Sequence, residues 1–136
     1  QDAKEAQMAE KKRILVVDDE PDFAGIVQQN LEKEGFEVEV AYDGEEGLEK
    51  VQANPPDAIV LDVMMPGKDG YQVCSELKAD DRFADIPIIL LTAVASHVTS
   101  TRYSHRDGMS TEADDYLAKP ASAEQITESI KGLLDM

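Results

Sequence analysis

Asp18 and Asp19 follow directly on an apolar run at 14–17, Asp62 on a second at 58–61, Thr92 on a third at 87–91, and Lys119 on the short segment 115–118. Adjacent carboxylates repel, and burying them pushes their pKa values up, so ionised acids gathered in one place call for a positive partner. An all-oxygen set with no Cys or His suits Mg²⁺, which takes one or two carboxylates and keeps several waters. The cation makes neighbouring ionised acids tolerable. A further carboxylate can act as nucleophile on phosphorus and carry an aspartyl-phosphate. Asp62 is the candidate, with Mg²⁺ and Lys119 holding phosphoryl oxygens and Thr92 donating a hydrogen bond, because phosphoryl transfer is mostly positioning and charge stabilisation. A lone strand-end Asp is more often a cap or turn residue. A set in which each group leaves a different segment is much harder to explain as capping.

Such groups converge only if the segments before them lie side by side. Segment 13–17 reads as a short apolar strand. Residues 21–34 carry Phe23, Ile26, Val27 and Leu31 at helical spacing, with Pro21 suited to a first turn and Gly35 to a stop. Residues 36–41 alternate as a strand with one covered face. A helix is expected over 44–53, with Leu48 and Val51 inward, broken by Asn54, Pro55 and Pro56. After the strand at 58–61 and a turn-rich loop at 66–70, a helix over 71–79 turns Val73, Cys74 and Leu77 inward. The last strand is 115–118 and the last helix 123–134, with Ile126, Ile130 and Leu133 inward. Strands alternate with helices, and three strands are apolar on both faces. That pattern predicts an α/β fold with a parallel sheet between two helix layers. Open parallel sheets bind ligands beyond the carboxyl ends of their strands, where the five candidate residues stand.

The 136 residues fit one domain with a real core, and residues 1–12 read as a tail or linker. A net charge of -16 argues against binding nucleic acid or an anionic membrane, both of which need Lys and Arg. Cys74 is the only cysteine, so there is no disulfide framework and no Cys-based zinc site; it reads as a packed helix residue. The longest mostly apolar stretch, 86–95, is too short to span a bilayer, and no signal peptide is seen, which points to the cytoplasm. No effector module is seen after Leu134. The chain reads either as a stand-alone regulator or as a piece of a larger protein.

The stretches "ILVVDDEPD", "AIVLDVMMPGKDG", "PIILLTA" and "ADDYLAKP" resemble, in order, those of the response-regulator receiver domains of two-component systems. The resemblance covers residues 13–134. It implies a three-layer, doubly wound, flavodoxin-like five-stranded sheet of order 2-1-3-4-5 in a receiver domain over 13–136. It also implies Mg²⁺-dependent transfer of a phosphoryl group from a kinase phosphohistidine to Asp62, in a signalling domain that assists its own phosphorylation rather than an enzyme. By position, Asp18 and Asp19 match the metal-binding acidic pair, with Asp19 the favoured direct ligand. Asp62 and the backbone carbonyl of Met64 complete that set, and Mn²⁺ can substitute. Thr92 and Lys119 match the switch hydroxyl and the phosphate-binding lysine. Tyr116 matches the aromatic that rotates on activation, against a plain reading as a partly buried core tyrosine. The Lys119-Pro120 bond is expected to be cis. The implied partners are a sensor histidine kinase or phosphotransfer protein, then a downstream protein or a second copy on the surface of the fourth helix, fifth strand and fifth helix.

The segment 96–112 departs from the family. It is longer than usual, rich in Ser, Thr and Val and interrupted by Gly108, with Glu112 where a glycine is common. A lengthened loop and a shortened or displaced fourth helix are expected. His97 and His105 read as solvated loop residues, since no third strong ligand has a convincing spacing. Met64 and Val94 are apolar where a water must approach an aspartyl-phosphate, which predicts slow loss of the phosphoryl group. Two other classes compete. An Asp-nucleophile phosphatase of the haloacid-dehalogenase type needs Asp-x-Asp after its first strand, where this chain has Asp18-Asp19-Glu20-Pro21. A flavodoxin must cradle a phosphate in its first loop, which these acids would repel.

Overall fold

Strands that are apolar on both faces must be covered on both faces. The computed structural model, which describes residues 11–92, 113–119 and 121–134, covers them so. β1 (Arg13–Val17), β3 (Ala58–Asp62) and β4 (Ile88–Thr92) form the centre of a five-stranded sheet, with β2 (Glu37–Ala41) and β5 (Asp115–Ala118) at its edges. The order is β2-β1-β3-β4-β5 and every pairing is parallel, as the resemblance implied. The described helices are α1 (Pro21–Lys33), α2 (Gly44–Ala53), α3 (Gly70–Lys78) and α4 (Ala123–Leu133).

The period of two along each central strand divides its residues between two cores. Leu15, Val17, Ile59, Leu61, Ile88 and Leu90 join Val51 of α2 and Val73, Cys74 and Leu77 of α3. Ile14, Val16, Val60, Ile89 and Leu91 join Ala24, Val27 and Leu31 of α1 and Ile126 and Ile130 of α4. Each such Leu, Ile or Val contributes roughly 1.5–3 kcal/mol of burial, so the central strands and the faces they meet dominate stability. Ile26 shares the helical spacing of Phe23, Val27 and Leu31 but does not face inward. It is 58% exposed, because the inward stripe of α1 runs through Ala24, Val27 and Leu31 and leaves Ile26 on the solvent side.

Local chemistry sets the element ends. Asp43 and Asp69 cap α2 and α3 by accepting from the N–H groups of Glu46 and Gln72. Ser122 and Gln125 form a capping box at α4. At the end of α1, Gly35 takes a φ of 97° while Phe36 N–H donates to Leu31 O and Gly35 N–H to Glu32 O. This is a Schellman closure that needs glycine at its left-handed position. It leaves Phe36 buried in the core ahead of β2. At the sheet end away from the candidate residues, Lys78 Nζ donates to Ala84 O (3.0 Å) and Ile86 O (2.9 Å) and pairs with Asp114 (3.0 Å). Asp114 also accepts from Ile88 N–H (2.8 Å), which ties α3 to the starts of β4 and β5.

The expected tail lies almost wholly outside the described residues, as do Val94, the departing segment 96–112 with both histidines, and Pro120 with its expected cis bond. Among the described residues, no helix is long and apolar enough to cross a membrane.

Candidate functional site

From β1 the chain goes to one side to form β2 and returns to place β3 on the other, so the strand order reverses between β1 and β3. The crevice at such a switch point is where doubly wound sheets hold ligands. Val17 and Leu61 are register partners, so Asp18 and Asp62, the next residues of each strand, stand side by side. Asp18 N–H donates to Ala41 O and Lys119 N–H to Thr92 O, carrying each ladder one residue past its strand. These bonds explain why the groups are aimed at one point rather than lost in loops.

Asp18 and Asp62 are each only 1% exposed, and Asp19 is more open. One carboxylate oxygen from each of the three lies within 4.8 Å of the others. Lys119 reaches in from β5, its Nζ 3.3 Å from Asp62 Oδ1, 3.4 Å from Asp18 Oδ2 and 3.6 Å from Glu20 Oε1. Met64 N–H donates to Asp62 Oδ1 over 3.4 Å, and Glu20 N–H to Asp18 Oδ1 over 2.9 Å. Asp18 Oδ2 is buried without a hydrogen bond. An unbonded buried carboxylate oxygen beside two further carboxylates fits a hard divalent cation, the kind of ion the donor set suggests.

The loop after Asp62 is pressed close. Gly70, first residue of α3, donates its N–H to Val63 O, and a Cβ there would stand 2.8 Å from Val63 Cα and closer still to Asp62 O. Lys68, in the same loop, pairs with Glu76 of α3 (2.7 Å) and lies 3.9 Å from Glu45 of α2. Thr92 ends β4 at the same rim, one residue past the partner of Asp62. Tyr116 lies inside β5 and is 40% exposed. Met64 is 64% exposed. Sequence reasoning did not assign Glu20 or Phe23 to the site. Yet the Phe23 ring centroid lies 5.1 Å from Lys119 Nζ. The available signal was an aromatic on the first turn after the acidic pair.

Burial, then the charge of Asp18, pushes the Asp62 carboxyl up to about 6, against the opposing pull of Lys119 and the Met64 N–H. Burial likewise raises Asp18. Lys119 is raised even though its own burial opposes this, because Asp18, Asp62 and Glu20 together outweigh it. An acid whose pKa rises on folding contributes stability below its unfolded value, near 3.8 for Asp62, and that contribution is lost as pH rises through about 6. The shift is worth at most about 3 kcal/mol. Without divalent cation, Asp62→Asn is therefore expected to melt several degrees above the parent at about pH 7.5, with the gain gone near pH 4. Thermal melts in chelator check this, and a parent that melts no lower than the variant at about pH 7.5 would contradict it.

The family model described as "Response regulator receiver domain" matches residues 14–131. The chain is 46% identical over 127 residues to the transcriptional regulator ycf27 of Cyanophora paradoxa, covering 91% of this chain and 48% of the relative. It is 39% identical over 122 residues to the DNA-binding dual master transcriptional regulator RpaA of Synechocystis sp., covering 90% and 48%. The chain thus spans about half the length of these relatives. Its fold matches the signal receiver domain of a signal transduction histidine kinase from Syntrophus aciditrophicus, with a TM-score of 0.81, 33% identity and coverage of 91% of this chain and 90% of that one. The sequence motifs, the strand order and the acids at its reversal point are those of a signalling module that recurs in regulators and kinases alike, and this chain belongs to the response regulator receiver domain family.

Proposed function

We propose that residues 13–136 form a receiver, preceded by a tail at 1–12, that takes a phosphoryl group on Asp62 from the phosphohistidine of a sensor histidine kinase or phosphotransfer protein. The observation that carries this reading is the Lys119 ammonium, 3.3 Å from Asp62 and 3.4 Å from Asp18 in a buried acidic crevice. Asp62 attacks phosphorus with one carboxylate oxygen. The phosphorus–nitrogen bond to the donor imidazole breaks, and the imidazole keeps that electron pair and takes up a proton. Lys119 holds a phosphoryl oxygen, and Thr92 donates a hydrogen bond to another. Asp18, Asp19, Asp62 and the Met64 carbonyl would hold Mg²⁺, or Mn²⁺ in its place. When bound, that ion neutralises charge on the transferring oxygens.

Thr92 and Tyr116 act as the switch, altering the face that includes β5 and the final helix for a downstream protein or a second copy. The chain consumes no substrate beyond its own phosphoryl group, so it is a signalling element rather than an enzyme. A net charge of -16 leaves any DNA contact to other parts of a regulator, and we place the chain in the cytoplasm. The phosphatase alternative is not favoured, because its Asp-x-Asp motif after β1 is absent and the candidate nucleophile stands on β3. For phosphoryl lifetime, Met64 does stand exposed beside Asp62, whereas Val94 is outside the described residues.

A thermal-shift titration tests the metal half of the proposal. Mg²⁺ binds the folded acids and relieves their repulsion, so by linkage it should add about 2.7 kcal/mol of stability at a hundredfold excess over Kd and raise the melting temperature accordingly. Asp19→Ala should remove most of that gain. A parent chain with no Mg²⁺ shift would overturn the assignment of these acids as a metal site.

A further inference from the structure

We infer that Phe23 is a positioning residue for Lys119, holding the ammonium by its ring face while its hydrogen bonds pass from the carboxylates to the phosphoryl group. The inference rests on the proposed phosphoacceptor role of Asp62 and adds a residue to it. Phe23 is the third residue of α1, partly buried against the core shared with α4, and its ring centroid lies 5.1 Å from Lys119 Nζ. The same ammonium faces Asp18, Asp62 and Glu20 at 3.3–3.6 Å, and the Lys119 side chain is 19% exposed.

These two kinds of neighbour hold the lysine differently. An ammonium has three N–H donors on a flexible four-carbon stem. Each carboxylate draws on the ammonium that a phosphoryl oxygen will need, and Asp62 itself changes charge and shape when it is phosphorylated. The ring attracts the positive charge through its quadrupole and need take no N–H. It can therefore keep its hold through the whole cycle, limiting the stem to the orientations that point into the crevice. Glu20 cannot do the same, because its side chain is 66% exposed and competes for the donors.

The test uses the full chain with Phe23→Leu, which keeps an apolar side chain without the ring, and Phe23→Tyr, which keeps the ring. In the parent, NMR should show the Lys119 ε-methylene protons shifted upfield by the ring current, a shift kept in Phe23→Tyr and lost in Phe23→Leu. With acetyl phosphate and saturating Mg²⁺, Phe23→Leu should be labelled about fivefold more slowly, the size of one partly buried cation–π contact. Phe23→Tyr should keep most of the parent rate. In a Lys119→Met background, Phe23→Leu should slow labelling no further, because the ring acts through the ammonium. An equal slowing there would show plain packing and overturn the inference. A parent that is not labelled at all would overturn the phosphoacceptor reading and this one with it. A labelled parent with an unchanged Phe23→Leu rate, or with no upfield shift, overturns this one alone.

Discussion

Asp62→Asn is expected to accept no phosphoryl group under conditions in which the parent chain is labelled to one group per molecule. An amide oxygen is a far poorer nucleophile than a carboxylate, and its product with phosphorus would be unstable. The variant keeps nearly the same shape at a site that is 1% exposed, so the loss cannot be blamed on collapse of the crevice. Removing a negative charge beside Asp18 also relieves repulsion, so the unlabelled variant should be the more heat-stable protein in chelator at neutral pH. Loss of labelling together with a gain in stability marks a group kept for chemistry at a cost in folding energy. Intact-mass measurement after incubation with acetyl phosphate and Mg²⁺ checks it, and labelling equal to the parent's would rule out Asp62 as the acceptor.

Gly70→Ala should be the most disruptive single-methyl change among the described residues near the site. The added Cβ would stand 2.8 Å from Val63 Cα and still closer to Asp62 O, and both neighbours are backbone. A flexible side chain could turn aside, but the end of β3 cannot move without breaking the Val63 N–H bond to Leu91 O (3.0 Å). Overpacking of this kind costs about 1–3 kcal/mol, and more where backbone must yield. A melting temperature lower by about 10 °C is expected for a domain of this size. Because the strain falls on the loop that carries Met64, the response to Mg²⁺ should weaken as well. A variant that melts and titrates like the parent would mean that α3 and β3 are not packed as described.

The central strands were legible because an unbroken apolar run has only one place to go in an α/β chain. β1, β3 and β4 sit where 14–17, 58–61 and 87–91 said they would, within a residue at their ends. The rim residues were legible for a related reason, since a charged group directly after a buried strand marks its carboxyl end. What sequence reading missed depends on geometry across the fold. Ile26 has helical spacing but faces solvent, because α1 presents a narrow stripe to the sheet. Phe23 was read only as part of the helical spacing of α1, and nothing in its own segment says that a lysine 96 positions later in the chain, Lys119, will lie over its ring. The need for glycine at 70 comes from the approach of α3 to the end of β3, and the clip between Lys78 and Asp114 from the meeting of three elements. Pairwise closeness of this sort leaves no periodic trace in a sequence.

The most direct measurement of the central claim is the chemical location of the phosphoryl group in the unaltered chain. Acyl phosphates are reduced by borohydride to the corresponding alcohol, which marks the acceptor permanently for peptide sequencing by mass spectrometry. After incubation with acetyl phosphate and Mg²⁺, a single reduced residue is expected, at position 62, and none when Mg²⁺ is withheld. Reduction at Asp18 or Asp19 instead, or a phosphoryl group stable to borohydride on a hydroxyl such as that of Thr92, would contradict it.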